Sequence, residues 1–189
     1  FYLKPEQDFQ LSVEELCLAL AKKQIDFLIL CNPNNPTSSA IFHPELIKLL
    51  EFCQDHNIFV MIDETYIEFA SSIPALSAVC LVPDYDNLMV LRGVSKFFAA
   101  PGLRLGYGMT SNEDFRNILK EYQNPWSLNS IGAFAGELFL QDTDYIQKTR
   151  QLIETERTRI YETLQTIPEL KAFKPSANFV LVQILNEGV

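Results

Sequence analysis

Polar side chains that can do chemistry follow three apolar runs of the chain, at the point where each run ends. Residues 32–37 (NPNNPT) follow the first run, residues 63–66 (DETY) end the second, and Ser95, Lys96 and Arg104 follow the third. In open α/β sheets, ligands bind beyond the carboxyl ends of the strands, where such loops converge. The spacing therefore predicts one polar site with a nucleophilic amine, Lys96, at its centre.

The apolar runs have the length of buried strands, and amphipathic helices separate the first two. We predict strands at about 26–31, 58–62, 87–92 and 105–109, and helices at about 12–23 and 44–56. Two fully apolar strands joined by a helix indicate a right-handed crossover in a parallel sheet that is covered on both faces. The predicted fold class is therefore α/β, a mostly parallel sheet flanked by helices.

From residue 129 onward the pattern turns helical. We predict helices over 130–140 and 145–167, the second ended by Pro168, and a strand over about 178–184. A domain boundary near residue 125 follows from this change of pattern. Residues 1–125 are predicted to form part of a large domain, and residues 126–189 the linker helices and the beginning of a small α+β domain.

Composition and charge exclude several classes of protein. The 189 residues include 15 Lys and Arg against 24 Asp and Glu, a formal net charge of −9, and 48% are hydrophobic, so the chain is not disordered. No basic stripe is present for a nucleic-acid partner, and no apolar run approaches the roughly 20 residues of a membrane-spanning helix. We expect a cytoplasmic protein without nucleic-acid or membrane partners.

The four cysteines stand singly along the chain, without a C-x-x-C pair. This spacing is not typical of a zinc site or a redox dithiol, so we predict no metal site. We interpret the four as buried small hydrophobic residues: Cys17, Cys31, Cys53 and Cys80.

Three segments, taken together, resemble the pyridoxal-phosphate enzymes of the aminotransferase superfamily. Residues 32–37 match that family's N-P-x-N-P-T loop, residues 63–66 its D-x-x-Y strand end, and residues 95–106 (SKFFAAPGLRLG) its S-K…G-x-R-x-G segment. They occur in the family's order, and the match runs through most of the chain. The resemblance implies the aspartate-aminotransferase fold, pyridoxal 5'-phosphate as cofactor, a small-molecule substrate and a homodimer.

The resemblance implies a catalytic role for three residues. Lys96 would hold the cofactor as a Schiff base and then move the proton on the substrate α-carbon. Burial and neighbouring cations such as Arg104 would favour the neutral form of its amine. Asp63 would pair with the pyridine nitrogen and make the ring an electron sink. Tyr66 would hydrogen-bond the ring's phenolic oxygen.

Further residues are implied as binding groups for the cofactor. Asn35 would share the phenolic oxygen with Tyr66, while Ser95 and Arg104 would bind the phosphate, Arg104 by a planar fork suited to its oxygens. The implied cofactor-binding set is Asn35, Asp63, Tyr66, Ser95, Lys96 and Arg104.

The sequence departs from the family's pattern at two positions. Ser38 stands where the family usually has glycine after N-P-T, which alters a turn, and Gly93 stands where a hydroxyl residue often precedes the lysine by three. The second departure removes one phosphate contact. Neither touches Lys96 or Asp63. Glu64 is interpreted as a local hydrogen-bonding residue rather than a catalytic acid.

Within the superfamily, the details indicate the branch of histidinol-phosphate aminotransferase and threonine-phosphate decarboxylase. Residues 63–69 (DETYIEF) resemble the aminotransferase, whereas residues 96–104 (KFFAAPGLR) and 125–129 (PWSLN) resemble the decarboxylase, which is slightly favoured. A ligand-sensing domain on the same fold, without turnover, is an alternative. The resemblance also implies that the chain is a central fragment, because the family's N-terminal third and its carboxylate-binding arginine find no match. The residues present therefore do not distinguish transamination from decarboxylation.

Overall fold

A computed structural model describes residues 1–185 of the chain. It begins with helical segments, alternates strands with helices or helical turns up to the fourth strand, and is mostly helical after that. The α-helices are α1 (Val13–Leu20), α2 (His43–Asp55), α3 (Ile73–Leu76), α4 (Glu113–Tyr122), α5 (Ser130–Gln141) and α6 (Thr143–Gln165). The strands are β1 (Phe27–Cys31), β2 (Phe59–Asp63), β3 (Leu88–Gly93), β4 (Gly106–Met109), β5 (Leu170–Ala172) and β6 (Val182–Ile184).

The first four strands form one sheet in the order β1-β2-β3-β4. β1, β2 and β3 are parallel, and β4 pairs antiparallel with β3. The register places Asp63 opposite Cys31 on one side and Leu91 on the other. The carboxyl ends of the three parallel strands are therefore level, and the loops that follow them start at one edge of the sheet.

The main core lies between this sheet and helices α1 and α2. Leu46 and Leu50 of α2 and Val60 and Ile62 of β2 are completely buried in it. Each such side chain stabilises the fold by about 1.5–3 kcal/mol through burial alone. The alternation of buried and half-buried residues along β2 fixes its register, because a shift by one residue would reverse every side chain.

The prediction that both faces of the sheet are covered is wrong for β1. Ile29 is 63% exposed and Phe27 is 38% exposed, on a strand predicted to be fully buried. β1 is an edge strand of the described sheet, and the Phe27 ring stacks on Phe59 of the neighbouring β2, with 5.6 Å between the ring centroids. An apolar run alone does not distinguish a central strand from such an edge strand.

In the second half, the two predicted helices are present as α5 and α6. Asn129 and Asp142 cap them, accepting hydrogen bonds from the backbone N–H groups of Gly132 and Tyr145. The strand predicted at 178–184 is shorter, and it pairs with β5, which the sequence did not predict. Strands of three residues are too short for a period to show. The boundary at residue 125 stays a prediction, and residues 186–189 lie outside the described part.

The interpretation of the cysteines as buried is right only for Cys53, which is completely buried in the core. Cys17 and Cys31 are half-buried, and Cys80 is exposed on a short helical turn. Spacing along the chain does not report which side of a turn faces solvent. Within residues 1–185, no helix has both the length and the apolar character that crossing a membrane requires.

Candidate active site

The loop after β1 is shaped by Asn32, whose side chain is completely buried. Its amide nitrogen donates hydrogen bonds of 3.0 Å to the backbone carbonyls of Ile41 and Leu76, and its amide oxygen accepts one of 2.8 Å from the N–H of Ile41. Asn34 adds a bond of 2.9 Å from the Thr37 hydroxyl. These bonds fix the loop that presents Asn35 at the sheet edge.

Asp63 is the last residue of β2, and its carboxylate is oriented by Thr65. One carboxylate oxygen accepts a hydrogen bond of 2.9 Å from the Thr65 N–H and one of 2.5 Å from the Thr65 hydroxyl. This arrangement is an Asx turn, in which an aspartate bonds to the backbone two residues further on. The second carboxylate oxygen has no partner among the described residues, so it is available to a ligand.

One cavity of about 410 Å³ opens beside the end of β2. Three of the predicted site residues line it together, Asp63, Ser95 and Arg104. The cavity thus has a carboxylate at the strand end and a hydroxyl and a guanidinium elsewhere on its wall. A carboxylate suits a protonated ring nitrogen, and the other two groups suit the oxygens of a phosphate.

The other three predicted site residues are grouped around Tyr66. The Asn35 amide donates a hydrogen bond of 3.3 Å to the Tyr66 hydroxyl, and Lys96 Nζ lies 5.9 Å from the centroid of the Tyr66 ring. Because the Tyr66 oxygen accepts from Asn35, its own proton remains available to a further acceptor. Lys96 directly follows Ser95, so the two groups of three adjoin.

The predicted burial of Lys96 is wrong for the described chain, since Lys96 is exposed. Asn35 is exposed as well, while Asp63 and Tyr66 are half-buried. The exposed pair lies at the carboxyl edge of the sheet, where none of the described elements covers it. Burial depends on what packs over a residue, and a motif does not show that.

Arg104 has a backbone conformation that non-glycine residues rarely adopt. Its φ is 51°, in the left-handed region, and it follows the short 3-10 helix Pro101–Leu103. One guanidinium nitrogen donates a hydrogen bond of 3.1 Å to the carbonyl of Pro101, and the side chain is otherwise exposed. Arg104 lines the cavity, and its remaining N–H groups suit an anion bound there.

Behind the site, Glu64 is buried in a network of hydrogen bonds. Its carboxylate accepts bonds of 2.9 and 2.8 Å from the Arg92 guanidinium, 2.9 Å from the Ser77 hydroxyl and 2.5 Å from the Ala78 N–H. Burial raises the pKa of the Glu64 carboxyl, and Arg92 opposes that shift. Glu64 is fully engaged within the protein, which agrees with the interpretation of a local hydrogen-bonding residue.

Two glycines on the cavity wall show how much room it leaves. At Gly93, an added Cβ would lie 3.4 Å from the carbonyl oxygen of Leu105, an ordinary contact, and 4.0 Å from the Ser95 hydroxyl. At Gly106, it would lie only 3.2 Å from the carbonyl oxygen of Arg92. A side chain at residue 106 would thus crowd the pairing of β4 with β3, whereas Gly93 leaves space beside Ser95.

Sequence reasoning gave no role to Thr65, Gly106 or Arg92. The pattern Asp-x-Thr after a strand is a signal for an Asx turn and could have identified Thr65.

The residues present fit a cofactor that has a ring nitrogen, a phenolic oxygen and a phosphate, because the donors and the carboxylate for all three lie at one edge of the sheet.

The comparisons with known proteins agree with this geometry. The sequence model described as Aminotransferase class I and II matches residues 1–188. A threonine-phosphate decarboxylase of Salmonella typhimurium is 36% identical over 169 residues, 87% of this chain and 45% of that protein. The histidinol-phosphate aminotransferase structure from Clostridium acetobutylicum is 34% identical, with a TM-score of 0.90, and covers 98% of this chain and 54% of its own.

A further solved structure bears on the cofactor. The histidinol-phosphate aminotransferase from Sinorhizobium meliloti, in complex with pyridoxal-5'-phosphate, is 25% identical, with a TM-score of 0.80, over 93% of this chain and 47% of its own. The chain spans about half the length of the relatives that it matches. The predicted family and the predicted α/β fold class are confirmed: the chain belongs to the aminotransferase class I and II family.

Proposed function

We propose that this chain carries the cofactor site of a pyridoxal-phosphate enzyme that acts on a small amino acid phosphate or amine phosphate. The observation that carries the proposal is that Asp63, Ser95 and Arg104 line one cavity, directly beside Lys96. When bound, the cofactor supplies an aldehyde for covalent attachment and a ring that accepts electrons. Relatives of both kinds, decarboxylase and aminotransferase, support the substrate class.

Each residue does one physical task in this proposal. Ser95 and Arg104 bind the phosphate, and Asp63, aimed by Thr65, keeps a proton on the ring nitrogen through its second carboxylate oxygen. Tyr66, which accepts from Asn35, directs its own proton at the phenolic oxygen. Lys96 Nζ is the group that would hold the cofactor covalently and, when free, would accept the α-proton of the substrate.

Between the two branches we favour a decarboxylase of threonine phosphate. The residues 96–104 and 125–129 resemble that branch, and the Salmonella typhimurium relative has that name. The second candidate is a histidinol-phosphate aminotransferase. Residues 63–69 resemble it, and the Clostridium acetobutylicum structure, with its TM-score of 0.90, has that name. The two reactions differ in which bond at the α-carbon is aligned perpendicular to the ring.

Loading the full-length protein with cofactor tests the assignment. We expect a yellow protein in which borohydride fixes the cofactor onto Lys96, as peptide mass spectrometry would show, and a Lys96→Ala variant that stays unmodified. We expect Asp63→Asn to bind the cofactor and to turn over at least tenfold more slowly. A wild-type protein that remains colourless and unmodified contradicts the proposal.

Product analysis separates the candidate reactions. Threonine phosphate alone is expected to give carbon dioxide, whereas histidinol phosphate with 2-oxoglutarate gives glutamate if the protein is the aminotransferase. A protein that binds the cofactor but converts neither substrate supports the ligand-sensing alternative. A homodimer and a cytoplasmic location belong to the same proposal. Size-exclusion chromatography with light scattering of the full-length protein checks the homodimer.

A further inference from the structure

Arg157 of α6 is a buried cation without a carboxylate partner among the described residues. It is 9% exposed, and none of the ion pairs among residues 1–185 involves it. A buried charge is costly unless it is well bonded, and burial lowers the pKa of this guanidinium. Two residues along the same helix, Arg159 is exposed and paired with Glu156. A surface ion pair therefore does not explain why an arginine is buried at position 157.

The guanidinium of Arg157 bonds to the loop that carries Tyr66, residues 66–71. It donates a hydrogen bond of 2.6 Å to the carbonyl of Phe69 and one to the hydroxyl of Ser71. The N–H of Phe69 in turn donates a bond of 3.2 Å to the carbonyl of Tyr66. A chain of two hydrogen bonds thus leads from α6 to the backbone of Tyr66.

A second route leads from Arg157 to the ring of Tyr66. The guanidinium donates a longer bond of 3.4 Å to the carbonyl of Ala177. Two residues beyond Ala177, the ring of Phe179 packs edge to face on Tyr66, with 5.0 Å between the ring centroids. Arg157 therefore bonds to both segments that hold the Tyr66 side chain in place.

The same helix also holds the segment of Lys96. The Tyr145 hydroxyl, near the start of α6, donates a bond of 2.8 Å to the carbonyl of Phe97. Arg150, between Tyr145 and Arg157 on the helix, lies 5.9 Å from the Phe97 ring centroid. α6 is thus a common support for the Tyr66 loop and for the residue that follows Lys96.

We propose that Arg157 is a positioning residue that sets the Tyr66 hydroxyl relative to Lys96 and the bound cofactor. This inference rests on the proposed function of Tyr66 as donor to the cofactor's phenolic oxygen. A hydrogen bond from Tyr66 to that oxygen would stabilise its negative charge most when the attached Lys96 Nζ carries no proton, because the neighbouring positive charge is then absent. Displacing Tyr66 weakens the donor and keeps the proton on Lys96 Nζ to higher pH.

The test measures the pH midpoint of the visible absorbance of the cofactor-loaded, full-length protein. We expect Arg157→Met to raise the midpoint by about half a pH unit or more, the size of a partly lost hydrogen bond to a charged group. Arg159→Met, the same change on an exposed residue of the same helix, is expected to leave the midpoint unchanged. If Arg157 acts through Tyr66, Arg157→Met adds no shift in a Tyr66→Phe background.

Two results overturn the inference while the proposed function stands. The first is an Arg157→Met variant that is folded by circular dichroism, binds the cofactor and has the wild-type midpoint. The second is a shift of the midpoint by Arg157→Met that is just as large in the Tyr66→Phe background. If Arg157→Met does not fold, Arg157→Lys replaces it, because lysine keeps the charge but makes fewer hydrogen bonds. We expect Arg157→Lys to raise the midpoint by less than Arg157→Met, and a wild-type midpoint in Arg157→Lys would also contradict the inference. A wild-type protein without visible absorbance overturns the proposed function itself.

Discussion

The hydroxyl oxygen of Ser38 accepts a hydrogen bond of 2.8 Å from the backbone N–H of Ala177, 139 residues further along the chain. The Ser38 hydroxyl also accepts a hydrogen bond of 3.0 Å from the N–H of Ser176. The same N–H donates a bond of 2.8 Å to the Ser38 carbonyl oxygen. Ser38 is completely buried and has a φ of 59°. A residue in a left-handed conformation thus joins the loop after β1 to the segment before β6.

Substitutions at Ser38 should separate its hydrogen bonds from its backbone strain. Ser38→Ala leaves the N–H of Ala177 without a partner and keeps the strain, so we expect a loss of about 1–3 kcal/mol in the free energy of unfolding. Ser38→Gly loses the same bonds but relieves about 1 kcal/mol of strain. Urea unfolding of the cofactor-free protein measures both.

Ser127→Ala, at an exposed serine, serves as the control and should change the free energy by less than about 0.5 kcal/mol. A glycine variant less stable than the alanine variant would show that strain at residue 38 is not the deciding difference.

Gly93→Ser is expected to tighten cofactor binding. The added Cβ meets only ordinary contacts, and its hydroxyl starts within reach of Ser95 on the cavity wall. One more donor to a phosphate should lower the dissociation constant about 3- to 30-fold. Fluorescence titration with pyridoxal 5'-phosphate measures it. Gly102→Ser, where an added Cβ meets nothing and the residue does not line the cavity, is the matched control; equal affinity of both variants would contradict the prediction.

The sheet could be predicted from the sequence because its signals are local. The apolar runs of β1, β2 and β3 are contiguous, and each ends at a polar residue that the register then brings to one edge. Asp63, Ser95 and Arg104 could be grouped for the same reason: the ends of neighbouring strands converge. The resemblance added roles for these residues, and those roles remain part of the proposal.

Contacts between distant segments could not be predicted. The bond from the Ala177 N–H to the Ser38 hydroxyl and the bonds from Arg157 to the Tyr66 loop join residues 86 to 139 positions apart. No pattern within a helix or a strand carries such information. The exposure of Ile29 and Lys96 was missed on similar grounds, since exposure depends on which elements pack over a residue.

Thr65→Val is expected to slow turnover while the cofactor stays bound. The substitution removes the hydroxyl bond of 2.5 Å that aims the Asp63 carboxylate but keeps the size of the side chain. A less well-oriented carboxylate should reduce kcat about 3- to 30-fold. Steady-state kinetics on the substrate found by product analysis measures this. Thr110→Val, which removes a hydroxyl bond to Leu88 outside the cavity, should retain kcat; a wild-type kcat in Thr65→Val would assign Thr65 a purely local role.

Cys53 should make the fold less stable at alkaline pH. Burial raises the pKa of its thiol from 9.0 to about 12. The unfolded chain therefore loses this proton near pH 9 while the folded chain keeps it, so the stabilisation is fully present below pH 9 and is lost as the pH rises towards 12. Between pH 8 and pH 10 this amounts to about 1.4 kcal/mol in the free energy of unfolding.

The measurement compares urea unfolding at pH 8, 9 and 10 in the presence of a reductant. Cys53→Ala costs stability at every pH, because it leaves a cavity, but we expect it to lose about 1.4 kcal/mol less than the wild type over this interval. Cys80→Ala, at the exposed thiol, should keep the wild-type slope. Because all other titrating groups are shared, equal slopes for Cys53→Ala and wild type would mean that the Cys53 thiol ionises as readily in the folded chain as in the unfolded one.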